Sequence, residues 1–211
     1  MARIFAKKVR KVTRKKKPVI LIIAEGKNVT ESQYFKSFQN QHNGFSIQML
    51  TPGHSTDPKG MYKKISQYWK EKELDEKQGD IAFIVLDLDC NPDKALLIKE
   101  LAKKNKSMKF VISNPCFEVW FLLHFKYSTH TYASSSEVIR DLRNHISNYE
   151  KNVPVAEIIA DKLENAMTNA GKLKNYFEEI AAKWPSEACN PCTDVPIVID
   201  VFNQFNSERN L

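Results

Sequence analysis

The chain lacks the features that would carry it into a membrane or out of the cell. In 211 residues no apolar run reaches the roughly 18–20 residues that a membrane span requires. The start, Met1 to Lys17, is basic but has no apolar stretch of the kind a secretory signal carries. No membrane association and a cytoplasmic location are therefore expected. Cysteine is scarce. The four thiols, Cys90, Cys116, Cys189 and Cys192, suit a reducing compartment. Cys189 and Cys192 form a single CxxC, which is half of a zinc site, so small buried thiols are expected rather than zinc ligands. The pattern GxxxxGK(S/T) is missing, which removes a P-loop. No internal repeat is present.

Acids are also absent from the first 17 positions, which hold nine bases and so a charge of +9. The rest of the chain holds 23 bases against 25 acids. The basicity is therefore an arm, residues 1–17, on a nearly neutral body. Such an arm serves either as a solubilising tail or as a sequence-independent clamp on phosphates. Lys15, Lys16 and Lys17, next to the body, are candidate substrate-binding residues.

What is present alternates. Pro18 to Ala24, Phe45 to Leu50, Ile81 to Leu86 and Met108 to Ile112 are short apolar runs that read as strands. Between them lie helical stretches opening at Thr30, Pro58 and Pro92. Ser113-Asn114-Pro115 reads as a helix N-cap with proline in the first turn, starting a helix through about Phe125. The β-α-β-α order predicts a parallel sheet covered by helices on both faces, over residues 18–126. Beyond Lys126 the strand signal fades. Ser134 to Tyr149, Pro154 to Lys183 and Asp194 to Phe205 read as helices, a C-terminal helical extension over residues 127–211 packed on the sheet domain.

In such sheets ligands bind outside the carboxyl ends of the strands. Glu25 ends the first strand, and Asp87 and Asp89 end and follow the third. Residues two apart on extended backbone point to one side, so Asp87 and Asp89 converge if the strand geometry continues past Leu88. Glu25 completes the cluster from a neighbouring strand. Three carboxylates without His or Cys are hard-oxygen ligands, suited to Mg²⁺ or Mn²⁺. Acids are also common in caps, and Asp89 before Asn91-Pro92 has that simpler use. Glu118 is either a favourable charge near a helix start or a further ligand or general base. Lys27 is a candidate phosphate contact. His54 lies in a Pro-Gly loop with nothing else to mark it. His124, in an aromatic-rich helix, reads as a core histidine.

Four segments together resemble the RloB family and, more distantly, Toprim domains. They are Glu25-Gly26-Lys27-Asn28-Val29-Thr30-Glu31 after an apolar strand, and Ile84-Val85-Leu86-Asp87-Leu88-Asp89. The third is Ser113-Asn114-Pro115-Cys116-Phe117-Glu118 with Val119 to Phe125, and the fourth is Asn190-Pro191-Cys192-Thr193-Asp194-Val195. The resemblance implies a Toprim-like α/β fold in which Glu25, Asp87 and Asp89 hold Mg²⁺ (or Mn²⁺), with Asn114 and Glu118 facing the metal centre. It also implies a nuclease of antiphage defence, acting by abortive infection on DNA or on RNA such as tRNA, beside an ATPase partner (RloA-like). The alternative is a non-catalytic nucleic-acid-binding or regulatory subunit of that ATPase. A homo-oligomer is left open.

Overall fold

The computed structural model describes residues 17–25, 30–54, 56–151 and 153–209. The four apolar runs form strands β1 (Val19–Ala24), β2 (Ser46–Leu50), β3 (Ile81–Asp87) and β4 (Met108–Asn114). They pair in parallel, with β1 between β2 and β3, and with β4 beside β3. Helices α1 (Thr30–Ser37), α2 (Pro58–Glu71) and α3 (Pro92–Ala102) make the crossovers.

Both faces of the sheet are covered, and the period of two along each strand divides the core. Leu21, Ile23, Ala82, Ile84, Leu86, Phe110 and Ile112 pack under α2 and α3. Ile20, Ile22, Phe83, Val85 and Val111 point the other way, into an aromatic-rich cluster. That is why the strands read as continuous apolar runs: each buries both sets of side chains. The helix starts follow local chemistry. Asp57 caps α2 by accepting from Lys59 N–H and Gly60 N–H at 3.1 and 3.0 Å, ahead of Pro58. Asn91 caps α3 by accepting from Lys94 N–H at 3.0 Å, ahead of Pro92. The cap of α3 is thus Asn91 and not Asp89.

The second large cluster is closed by α4 (Glu118–Leu123), α5 (Ser135–Leu142), α6 (Ala156–Ile159), α7 (Leu163–Glu179) and α8 (Val195–Arg209). Two expectations are corrected here. Ser113-Asn114-Pro115 does not open a helix. β4 runs on through Asn114, and α4 begins at Glu118 without a side-chain cap. Asn114 is instead held by tertiary hydrogen bonds, described below. The residues beyond Lys126 also supply a strand. β5 (Cys192–Thr193) pairs antiparallel with Ser113 and Asn114 at the sheet edge. At two residues it is too short to show a period. The result is a five-stranded mixed sheet, mostly parallel, flanked by helices. No described helix is long and apolar enough to cross a membrane.

Candidate functional site at the carboxyl ends of β1 and β3

Because β1 and β3 are paired, Glu25 and Asp87 end neighbouring strands. The Glu25 carboxylate accepts the backbone N–H of Asp87 at 3.2 Å. It also takes both of its oxygens to Lys94 Nζ, at 3.0 and 2.9 Å. Lys94 reaches on to Asp89 Oδ2 at 3.0 Å. A lysine one turn into α3 therefore bridges two of the three acids expected to share an ion. Burial pushes the Glu25 carboxyl up, and Lys94 opposes that shift. Burial works against the Lys94 charge, but Glu25 and Asp89 outweigh it and hold the ammonium above its ordinary range.

Asp87 and Asp89 do not follow the same course. The strand geometry stops at Asp87. Asp89 and Cys90 both adopt positive φ, +55° and +54°, in a turn closed by Asn91 N–H to Leu88 O at 3.0 Å. The turn sends the Asp89 side chain to Lys94, where it is half exposed. Asp87 instead accepts the backbone N–H of Phe117 at 2.8 Å. Its carboxyl is pushed well above the usual range, chiefly by burial and then by Glu31, Glu118 and Glu25.

Those neighbours define an inner group of acids. Glu31, in the first turn of α1, is 8% exposed and Glu118 is 1% exposed. Burial, and next to it Glu118, lifts the Glu31 carboxyl to about 7. Glu118 Oε1 accepts from the Tyr149 hydroxyl at 3.0 Å and faces Lys151 Nζ at 3.5 Å. The second oxygens, Glu31 Oε2 and Glu118 Oε2, are buried without a hydrogen-bond partner. Desolvation works against the Lys151 charge, but Glu118 and Asp87 hold it above its ordinary range. Among the described residues, no three His, Cys, Asp or Glu side chains are gathered closely enough to hold an ion as they stand.

The other expected residues fall in different places. Asn114 is fully buried. Its amide oxygen accepts Cys90 N–H at 3.1 Å, and its amide nitrogen donates to Cys189 O at 2.9 Å. It fixes the turn that carries Asp89, and its side chain is enclosed by backbone partners. Lys17 is exposed and donates to Gln41 O at 3.1 Å. Lys15, Lys16 and Lys27 lie outside the described residues. His124 is a core histidine, with Nδ1 donating to Trp120 O at 2.9 Å. The cysteines are free thiols. His54 is exposed in the loop before α2.

Sequence reasoning missed Lys94, Tyr149 and Lys151, and gave Glu31 no role. Only Glu31 had a usable signal: it is the acid nearest to Glu25 across the first strand–helix loop. An open cavity of about 380 Å³ adjoins the outer acids, lined by Glu25, Asp57, Asn91 and Lys94 among others. A family model described as RloB-like protein matches residues 20–201. No curated protein and no solved structure matches the chain.

Proposed function

The chain belongs to the RloB-like family, and from that premise we propose that it is a metal-dependent, Toprim-like nuclease that hydrolyses phosphodiesters of RNA or DNA in defence against phage. The observation that carries the reading is the pair of unpartnered, buried carboxylate oxygens on Glu31 and Glu118 beside Asp87. Unpaired buried charge costs several kcal/mol. Three acids, Glu25, Glu31 and Glu118, each act electrostatically on Asp87, and Lys151 is the cation beside Glu118. That imbalance fits a divalent cation taken from solution, and an all-oxygen donor set suits Mg²⁺ or Mn²⁺.

On this reading Glu25, Glu31, Asp87 and Glu118 would hold the ion. Asp89 would stand apart from the ion, half exposed and paired with Lys94. Bound there, the ion supplies Lewis-acid polarisation of a phosphoryl oxygen and activation of water. The chain's own groups do the rest. Phe117 N–H fixes one Asp87 oxygen. Tyr149 and Lys151 hold one oxygen of Glu118 and leave the other free toward the ion. Lys94 presents an ammonium at the cavity, where a substrate phosphate competes with Glu25 and Asp89 for it. The basic arm adds affinity for the polymer backbone. A defence ATPase is the partner proposed to switch the activity on.

The Lys94 bridge favours one other reading. If the ammonium permanently takes the place of the ion, the protein binds nucleic acid and regulates its partner without chemistry. Calorimetric titration with Mg²⁺ and Mn²⁺ separates the two, comparing wild type with Asp87→Asn and assaying tRNA and DNA cleavage on the same samples. Binding and cleavage that both vanish in the variant are the expected result. Absence of metal binding in the wild type sinks the nuclease.

A further inference from the structure

A second charged surface lies beside β4, on the face of the sheet that α3 covers. β4 pairs with β5 only at Ser113 and Asn114. Beside the remainder of β4, a groove of about 750 Å³ separates the C-terminal half of α3 from the segment Lys183 to Pro185. Its lining includes Phe110, Ile112, Trp184 and Ile197, an apolar and partly aromatic floor. Lys99, Lys103, Lys106, Lys109 and Lys183 line it as well, and all but Lys99 are exposed. Among the described residues none of the five takes part in an ion pair.

The acid in this lining does not neutralise them. Asp194 takes the Trp184 indole N–H on both oxygens at 2.9 Å and the Ile112 N–H at 3.3 Å. Its carboxyl is pushed up to about 6, mainly by burial. The same bonds hold the Trp184 ring in place. The groove is thus a set of cations around a fixed aromatic surface.

Its position relative to the acids is set by one helix. Lys94 at the site and Lys99 at the groove are on α3, and Lys103, also at the groove, is its C-cap residue. At 1.5 Å per residue, Lys103 lies ~13 Å along the axis from Lys94. That is the length of about four stacked nucleotides at ~3.4 Å each.

We propose that this groove binds single-stranded nucleic acid, with bases on the half-buried Trp184 and exposed Ile197 and phosphates on the lysines, about four nucleotides from the acid cluster. A polyacidic peptide would satisfy the lysines but leave the apolar floor uncovered. The identity of the ligand rests on the nuclease reading; the charge and shape of the groove do not.

The test is fluorescence anisotropy of the full chain with labelled oligothymidylate and oligouridylate, in EDTA so that no metal contributes. Lys103→Glu/Lys106→Glu/Lys183→Glu is compared with Lys36→Glu/Lys70→Glu/Lys77→Glu, an equal charge change at exposed positions outside the groove. The groove variant is expected to bind at least about tenfold more weakly, with the slope of log affinity against log salt reduced by about 2. The control variant is expected to lose less than about threefold. Equal losses in both variants, or no loss in the groove variant, overturn the proposal. A labelled oligoglutamate that binds the groove and is not displaced by oligonucleotide also overturns it, in favour of an acidic peptide. Mg²⁺ titration of the groove variant keeps the two readings apart. Absent metal binding in both proteins fails the nuclease and leaves the groove result intact, whereas unchanged oligonucleotide affinity fails the groove alone.

Discussion

The acids at the strand ends fall into two groups with opposite charge balance. In the outer group, Glu25 and Asp89 share Lys94 at 2.9 and 3.0 Å, and an open cavity lies beside them. In the inner group, Glu31 and Glu118 both oppose the Asp87 charge, two of the group's oxygens are unpartnered, and Lys151 stands 3.5 Å from Glu118. The outer group resembles an ordinary partly exposed ion-pair network. The inner group is costly unless a cation or protons join it. Counting acids does not separate them. Counting the bases and N–H groups available to each acid does.

The largest test of this contrast removes the central inner acid. Asp87→Asn preserves an acceptor for Phe117 N–H but withdraws a charge. Metal-dependent cleavage is expected to fall by a thousandfold or more, about 4 kcal/mol of barrier. Saturating Mg²⁺ should raise the melting temperature of the wild type and leave that of the variant unmoved. A variant that still cleaves at the wild-type rate would remove Asp87 from the chemistry.

Next in size is the pH dependence of the metal-free protein. The Glu31 carboxyl is raised from 4.5 to about 7 by burial first and by Glu118 among its neighbours. The folded chain therefore keeps a proton that the unfolded chain releases. The associated stability is full below pH 4.5 and is lost as pH rises through about 7, a loss of about 3 kcal/mol. Urea denaturation in EDTA from pH 4.5 to 8 should show this decline, and Glu31→Gln should flatten it. At pH 8 the variant should melt roughly 6–12 °C above the wild type. A wild type whose stability rises over this window contradicts the unbalanced inner group.

The outer group should respond less. Lys94→Ala leaves Glu25 and Asp89 without their shared cation, but both have access to water. A loss of about 1–2 kcal/mol in urea denaturation is expected. Asp89→Asn should cost under about 1 kcal/mol, because that side chain is half exposed and screened. If Asp87→Asn destabilised the metal-free protein more than Lys94→Ala, the division into balanced and unbalanced groups would be reversed.

Much of the scaffold was readable from sequence, and the reason is burial on both faces. Val19–Ala24 and Ile81–Asp87 contact apolar side chains above and below, so their runs have no polar interruptions to confuse the reading. Strand ends follow from such runs, which is how Glu25 and Asp87 were legible. The errors share another cause. Ser113-Asn114-Pro115 carries the residues of a helix cap, but the partners that decide its conformation are Cys90 and Cys189, remote in sequence. Asp89 was expected to extend the strand alternation, and a turn at Leu88–Asn91 redirected it. Tyr149 and Lys151 reach Glu118 only after the chain has folded back across α4, and no local pattern marks such a return.

The Asn114 splice has a consequence in time. The turn carrying Asp89 is made early in synthesis, yet it is tied through Asn114 to Cys189, 75 residues later than Asn114. The Glu118 partners Tyr149 and Lys151 also emerge after the acids they serve. A nascent chain that has delivered Glu25, Asp87 and Asp89 still lacks the segments that hold them in register. If the chain is the nuclease proposed above, it acquires its acids before the segments that position them, and so is assembled in a harmless order.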